Sequence, residues 1–190
     1  TQNMAQKPVH ARMMNKAVDY LGRYASSRHK LGQILQQFAS RKLSGYDADD
    51  IAAAIQQTID QCSQLGYLDD WEFAVTVARS QRRLGRSQAV IRQRLRQHAL
   101  CDDIIAHALA EADENSADGD LQAAIRFAQR RRLGPFAQRH RAHHQRLDAH
   151  QWKRRDLNAM ARAGFSMTTS RQVLDHDDPN TIDNLLHQPD

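Results

Sequence analysis

The chain is short of residues that break helices and of patterns that build strands. Eight glycines and four prolines are spread over 190 residues, and no segment sustains an alternation of apolar and polar side chains. A sheet-based fold is therefore excluded and an all-α one is predicted. Aromatic residues make up 6%, too few for a large aromatic core or an extended base-stacking platform. Cys62 and Cys101 are the only cysteines. They exclude a disulfide framework and are expected to be reduced thiols in a cytosolic, cytoplasmic protein. The apolar runs are only a few residues long, which excludes a membrane-spanning helix. Thr1 to His10 holds no apolar stretch of the kind a secretory signal needs. No phosphate-binding glycine loop, G-x-S-x-G elbow, H-E-x-x-H pair or dinucleotide turn is found, so no enzyme activity and no cofactor are expected.

What the chain does have is charge. Lysine and arginine total 27 against 22 acidic residues, for a formal net charge of +5 and a pI near 9.6. An anionic partner is favoured. The charge comes in blocks. Ser44 to Ala78 carries seven acidic residues and no basic one, and Arg79 to His98 carries seven arginines and no acidic one. Ala99 to Ile125 is again purely acidic, and Arg126 to Arg155 is basic except for Asp148. Within these basic blocks lie Arg92, Arg94 and Arg96, then Arg130, Arg131 and Arg132, then Lys153, Arg154 and Arg155. Together with the arginines of the first block they are the candidate partner-binding residues.

Helices are expected at about Met13–Tyr24, after Ser26 or Ser27, after Asp47, over Asp70–Leu84, after Ser87 and after Asp102. Beyond a polar break at 114–120, others are expected near Leu121–Leu133, Phe136–His150, Trp152–Ala163 and Thr168–Leu174. The segment Leu95 to Cys101 is similar to Met160 to Ser166, and the matching offset extends to Ala108-Leu109 against Val173-Leu174. The spacing predicts three tandem three-helix repeats over 13–68, 69–116 and 119–175, with a flexible acidic tail over 176–190. Each repeat alone holds too little core, so neighbours should stack into an elongated array.

The most informative stretch is Leu65 to Gly85. Gly66 stands where a left-handed helix cap is needed, Tyr67 and Leu68 are placed to fold back as apolar anchors, and Asp69 is an N-cap with Glu72 three residues later. Arg79, Arg82, Arg83 and Arg86 then fall at i, i+3, i+4 and i+7 on one helix face, while Ala74, Val77 and Leu84 fall on another suited to a core. A charge run is ordinarily a solvated face. Here no acidic residue sits at helical spacing within it, and the repulsion is best relieved by an anionic partner.

Other clusters have plainer readings. Asp69-Asp70 and Asp102-Asp103 are adjacent in sequence, so their side chains diverge, and helix capping explains them better than catalysis. His140, His143, His144 and His150 form a dense patch, but a metal site needs three or four fixed ligands, and none is expected here. Trp152, beside Lys153, Arg154 and Arg155, reads as a partial core residue rather than a base-stacking one.

These residues resemble the RecX family, the bacterial regulators of the RecA recombinase. Gly66-Tyr67-Leu68-Asp69-Asp70 with Phe73 resembles the family's GYLDD-x-x-F signature. Arg79-Ser80-Gln81-Arg82-Arg83-Leu84-Gly85 resembles its arginine-rich helix, Ile91 to Gln97 its IRQ-x-L-x-Q helix, and Arg162 to Ser166 its third-repeat RRGFS motif. The chain departs from the family where an aromatic residue and a glycine often precede the fifth helix, and where a glycine often stands near Ala99. The resemblance implies a curved array of three-helix repeats. It also implies binding in the groove of the RecA–DNA filament, with inhibition of recombinase, ATPase and coprotease activities and hence an effect on recombinational repair and the SOS response. The implied partners are the RecA nucleoprotein filament and, directly, single- or double-stranded DNA; no membrane partner and a monomeric chain are expected. The alternative is a DNA-binding protein that uses a helix-turn-helix-like unit, with Arg92, Gln93, Arg94 and Gln97 aimed at base edges.

Overall fold

A computed structural model describes residues 9–114, 118–137, 148–176, 178 and 181–182. The described residues form nine α-helices and one 3-10 turn, with no strand among them. The helices are α1 (Val9–Leu21), α2 (Arg28–Lys42), α3 (Ala48–Gln64), α4 (Asp70–Arg83), α5 (Gln88–Arg96), α6 (Asp102–Ala112), α7 (Gly119–Arg131), α8 (Ala149–Arg162) and α9 (Met167–Leu174), with the 3-10 turn at Gly134–Ala137.

Short polar side chains start the helices. The Ser27 hydroxyl accepts from Lys30 N, Asp47 from Asp49 N, Asp118 from Asp120 N and Leu121 N, and Ser166 from Thr169 N. Asp148 and Gln151 make a reciprocal capping box at α8. Four of the helix ends use one device. After α3, Gly66 N donates to Ser63 O and Tyr67 N to Cys62 O, with Gly66 at φ +74°. The same pair of bonds follows α4 at Gly85 and Arg86, α7 at Arg132 and Leu133, and α8 at Gly164 and Phe165. This is the Schellman arrangement, which satisfies the last carbonyls of a helix.

The chain divides into two compact units, each with its own core. One contains the described residues up to Ala74 together with Gln97–Ile104; the other contains Val75–Arg96 and the described residues from Ile105 onward. In the first, α1 packs on α2 and α3 around Met13, Ala17, Leu31, Leu35, Ala39, Ile59 and Cys62. Burial pushes the Cys62 thiol above its ordinary pKa, which makes it a poor nucleophile. In the second, α9 packs on α7 and α8 around Ile125, Ala128, Met160, Phe165 and Val173.

Corresponding helices make corresponding bonds. In the first unit, Ser27 Oγ lies 3.1 Å from His98 Nδ1, and Arg28 N donates to Asp70 Oδ1 at 2.9 Å. In the second, Ser87 Oγ donates to Ala163 O and Gln88 N to Asp120 Oδ1, both at 2.7 Å. Ser27 and Ser87 precede α2 and α5, and His98 and Ala163 are the residues matched by the internal sequence similarity. We read α1–α3, α4–α6 and α7–α9 as three repeats, with 13–68, 69–116 and 119–175 as their proposed bounds.

Some expectations need correcting. The first helix runs from Val9 to Leu21 rather than from Met13 to Tyr24. It ends because Arg23 N closes a tight turn onto Tyr20 O. Tyr67 does not anchor the loop: it is 55% exposed, and Leu68 alone is buried, because the left-handed turn at Gly66 directs the two side chains apart. Leu84 is 47% exposed, since α4 ends one residue earlier and its buried face is Ala74, Val75 and Ala78. Most of the helix expected over 136–150 lies outside the described residues, as does most of the 176–190 tail. Phe136 and Ala137 belong to the 3-10 turn, and Ala149 and His150 open α8.

Candidate functional site

The arginine stripe of α4 is not one open face. Arg82 continues the buried row, four residues beyond Ala78, and its residue is 6% exposed. Its guanidinium donates from Nε and Nη2 to Asp113 at 2.8 and 2.7 Å, and from Nη1 to Asp120 at 2.7 Å and to Arg86 O at 3.2 Å. Burial alone would lower the Arg82 pKa. The hydrogen bonds it donates to the two carboxylates, with their negative charge, more than offset it, and the pKa is raised. Arg79 pairs with Glu111 at 3.0 Å. The missing acidic partners of the stripe are therefore supplied by Glu111 of α6, Asp113 just past its end and Asp120 of α7, rather than from α4 itself. Arg83 stays exposed. A mixed-charge concavity of about 400 Å³ lies here, lined among others by Arg79, Arg83, Glu111, Asp113 and Arg126.

Arg86 leaves the stripe altogether. Gly85, at φ +65°, turns the chain off the helix axis. A Cβ there would come within 3.1 Å of Ala123 O and 3.2 Å of Arg126 Cβ, so only glycine lets the turn lie this close to α7. Arg126 Nη1 donates to Arg82 O at 3.4 Å, and Arg130 Nη2 donates to Leu84 O. Two α7 arginines thus satisfy carbonyls at the negative end of α4. Arg130 serves that end rather than standing as an open cation.

Arg86, from the first basic block, and Arg131 and Arg155, from the second, come together with Arg162 around a concavity of about 380 Å³. Phe127, Leu133, Ala159 and Ala163 complete its lining. No carboxylate is among the described residues that line it. Arg131 Cζ sits 5.9 Å from the Phe127 ring and Arg155 Cζ 5.2 Å from the Trp152 ring, cation–π contacts that hold both guanidinium groups. Arg162 stands outside the basic blocks, and in the sequence it is marked only by the RRGFS-like motif. Its signal was its place seven residues after Arg155, two turns along the same side of α8.

The remaining candidates are scattered. Arg92 is half-buried, and Arg94, Arg96, Arg132 and Arg154 are exposed. Gln93 and Gln97, which the helix-turn-helix alternative invokes, are exposed as well. Lys153 pairs with Asp175 at 2.9 Å. In the signature, Asp69 caps α4 by accepting from Trp71 N and Glu72 N, Asp70 accepts from Arg28 N, and Phe73 lies edge-on to His98 at 4.8 Å. The GYLDD segment is thus built into the helix junction. His140, His143 and His144 lie outside the described residues, and His150 is exposed in the first turn of α8.

Residues 69–109 match the family model described as the second three-helix domain of RecX. The regulatory protein RecX of Myxococcus xanthus strain DK1622 is 32% identical over 163 residues, covering 85% of this chain and 83% of that protein. The regulatory protein RecX of Shigella boydii serotype 18 is 29% identical over 113 residues, covering 60% of this chain and 68% of that protein. The crystal structure of RecX from Lactobacillus salivarius superposes with a TM-score of 0.65 at 16% identity, covering 89% of this chain and 96% of that one, and so shares the helical-repeat fold. A relative this similar over most of both lengths shows the family: the chain belongs to the RecX regulatory proteins.

Proposed function

We propose that this chain is a non-enzymatic regulator that binds the RecA–DNA filament and inhibits the recombinase, ATPase and coprotease activities of RecA. In that role it modulates recombinational repair and the SOS response, acting in the cytoplasm as a monomer. Family membership supports the reading. The observation that carries it is the assembly of arginines from distant segments into one concavity with no carboxylate among its described lining residues. Repulsion among such charges is relieved by an anionic surface, and a nucleoprotein filament presents one.

The mechanism is occupancy. A protein bound across a filament alters its cycling only so far as it prefers one filament state to another. The paired charges Arg79–Glu111 and Lys153–Asp175 suit a protein surface of mixed sign, where they fix register more than they add affinity. Cosedimentation with RecA filaments on single-stranded DNA, set beside bare DNA, tests the reading. Retention by the filament well above retention by bare DNA is expected. Sequence-specific duplex binding with indifference to RecA would instead favour the helix-turn-helix alternative.

A further inference from the structure

A concavity of about 740 Å³ lies along α2 and α3 in the first unit. Leu31, Leu35 and Ala39 turn one face of α2 into the core. His29, Gly32, Gln33, Gln36 and Gln37, at i, i+3, i+4, i+7 and i+8, share a different face and line the concavity, with Gln56 and Ile59 of α3 opposite. Its wall is thus a row of primary amides. The lining arginine is already engaged, since Arg28 pairs with Asp60. Gln56 Nε2 donates to both Asp60 oxygens at 3.1 Å, and Gln33 Nε2 lies 3.0 Å from His29 Nε2. Among the described residues, the side-chain amides of Gln36 and Gln37 and the carbonyl oxygens of Gln33 and Gln56 bond to no other residue.

The floor is Gly32 with Ile59. Glycine weakens a helix interior, and Gly32 is not among the glycines with positive φ. A Cβ there would meet Ile59 Cδ1 at 3.4 Å, the end of a flexible side chain. Neither backbone nor packing therefore demands glycine at this position, whereas an open floor does.

We propose that this concavity binds an extended polypeptide segment of low charge, recognised through its main chain. A primary amide carries the same donor and acceptor as a peptide group, so a row of them pairs with N–H and C=O alike. From His29 to Gln37 the row is about 12 Å long at about 1.5 Å per residue, the length of about four residues of extended chain. Nucleic acid fits poorly. No Phe, Tyr or Trp is among the described lining residues to stack a base, and Arg28 already holds a carboxylate. This goes beyond the regulator reading and does not rest on it.

The test is nuclear magnetic resonance of the full isotope-labelled chain, titrated with an acetylated, amidated hexapeptide of alanine, serine, threonine and asparagine. The side-chain amide signals of Gln33, Gln36, Gln37 and Gln56 should shift with a dissociation constant on the order of 1 mM, as a few exposed hydrogen bonds allow. They should shift more than those of Gln64 and Gln93, which are exposed elsewhere. The same peptide with every main-chain nitrogen methylated has lost its donors and should leave them unmoved. Gly32→Leu fills the floor with a better helix former, and should weaken peptide binding about fivefold or more while thermal stability is kept or raised. Gln36→Ala with Gln37→Ala leaves the floor open and should weaken binding as well, so a folding fault in one variant does not decide the result.

Unmoved glutamine signals at about 10 mM hexapeptide, ten times the expected constant, overturn the site. Equal shifts by the methylated peptide overturn recognition through the main chain. Shifts of the same four glutamines by a short oligothymidylate, matching those by the peptide, make this a nucleic-acid surface and overturn the proposal too.

Discussion

Arg82 is an arginine whose work lies inside the fold. Its guanidinium is held by Asp113, Asp120 and the Arg86 carbonyl at a site almost closed to water. Arg82→Ala leaves two part-buried carboxylates facing each other without their cation, and should destabilise the chain by about 3 kcal/mol. Arg83→Ala, one residue along, should stay within about 0.5 kcal/mol. Equal midpoints for the two in urea denaturation would show that the ion-paired node is not holding α4. The helical spacing of Arg82 from Ala74 and Ala78 was open to reading in the sequence. The partners were not, because Asp113 and Asp120 lie more than thirty residues away and reach Arg82 only through the packing of α6 and α7. Ala99 makes a second case at this scale. It sits at φ +55°, where the matched position of the last repeat carries Gly164 at φ +83°. Ala99→Gly should raise stability by about 1 kcal/mol, the strain a side chain suffers in the left-handed region. A lower midpoint in the glycine variant would mean that Ala99 is unstrained.

The elements are defined by their ends. Helix starts at Ser27, Asp47 and Asp69 and the left-handed stop at Gly66 could be read from residue type, because each cap has a local physical cause. The first helix could not be bounded this way: it ends in a tight backbone turn at Tyr20–Arg23 that no single residue type announces. Gly66→Val should cost about 1 kcal/mol or more, since a β-branched side chain is strained at φ +74° even with open space around it. Thermal denaturation at the wild-type midpoint would show that the turn tolerates a side chain. Asp69 and Asp70 are adjacent yet serve different helices. Asp69→Ala should expose amides in the first turn of α4 to hydrogen exchange, at a stability cost of roughly 0.5–2 kcal/mol. Asp70→Ala should instead expose the first turn of α2, where Arg28 N loses its carboxylate. Faster exchange confined to α4 in both variants would rule out the cap across repeats.

At the scale of the whole chain, the all-helical class and the repeat pattern followed from periodicity and from the match of Leu95–Cys101 to Met160–Ser166. That match reappears as the paired bonds Ser27–His98 and Ser87–Ala163. The binding surface was less legible. Charge blocks mark where arginines are dense, but only packing decides which of them are consumed by carboxylates and carbonyls and which line an open hollow. Arg82 and Arg130 are consumed; Arg86, Arg131, Arg155 and Arg162 line the hollow. Removing charge from the surface while sparing the fold therefore means leaving Arg82 in place. The most direct test is ATP hydrolysis by RecA on single-stranded DNA, titrated with the wild-type chain and with the Arg79→Ala, Arg83→Ala, Arg86→Ala triple variant at two salt concentrations. The wild-type chain should inhibit, less so at the higher salt, and the triple variant should inhibit weakly while keeping wild-type helicity. RecA turnover unchanged by a molar excess of the wild-type chain would contradict the proposed role.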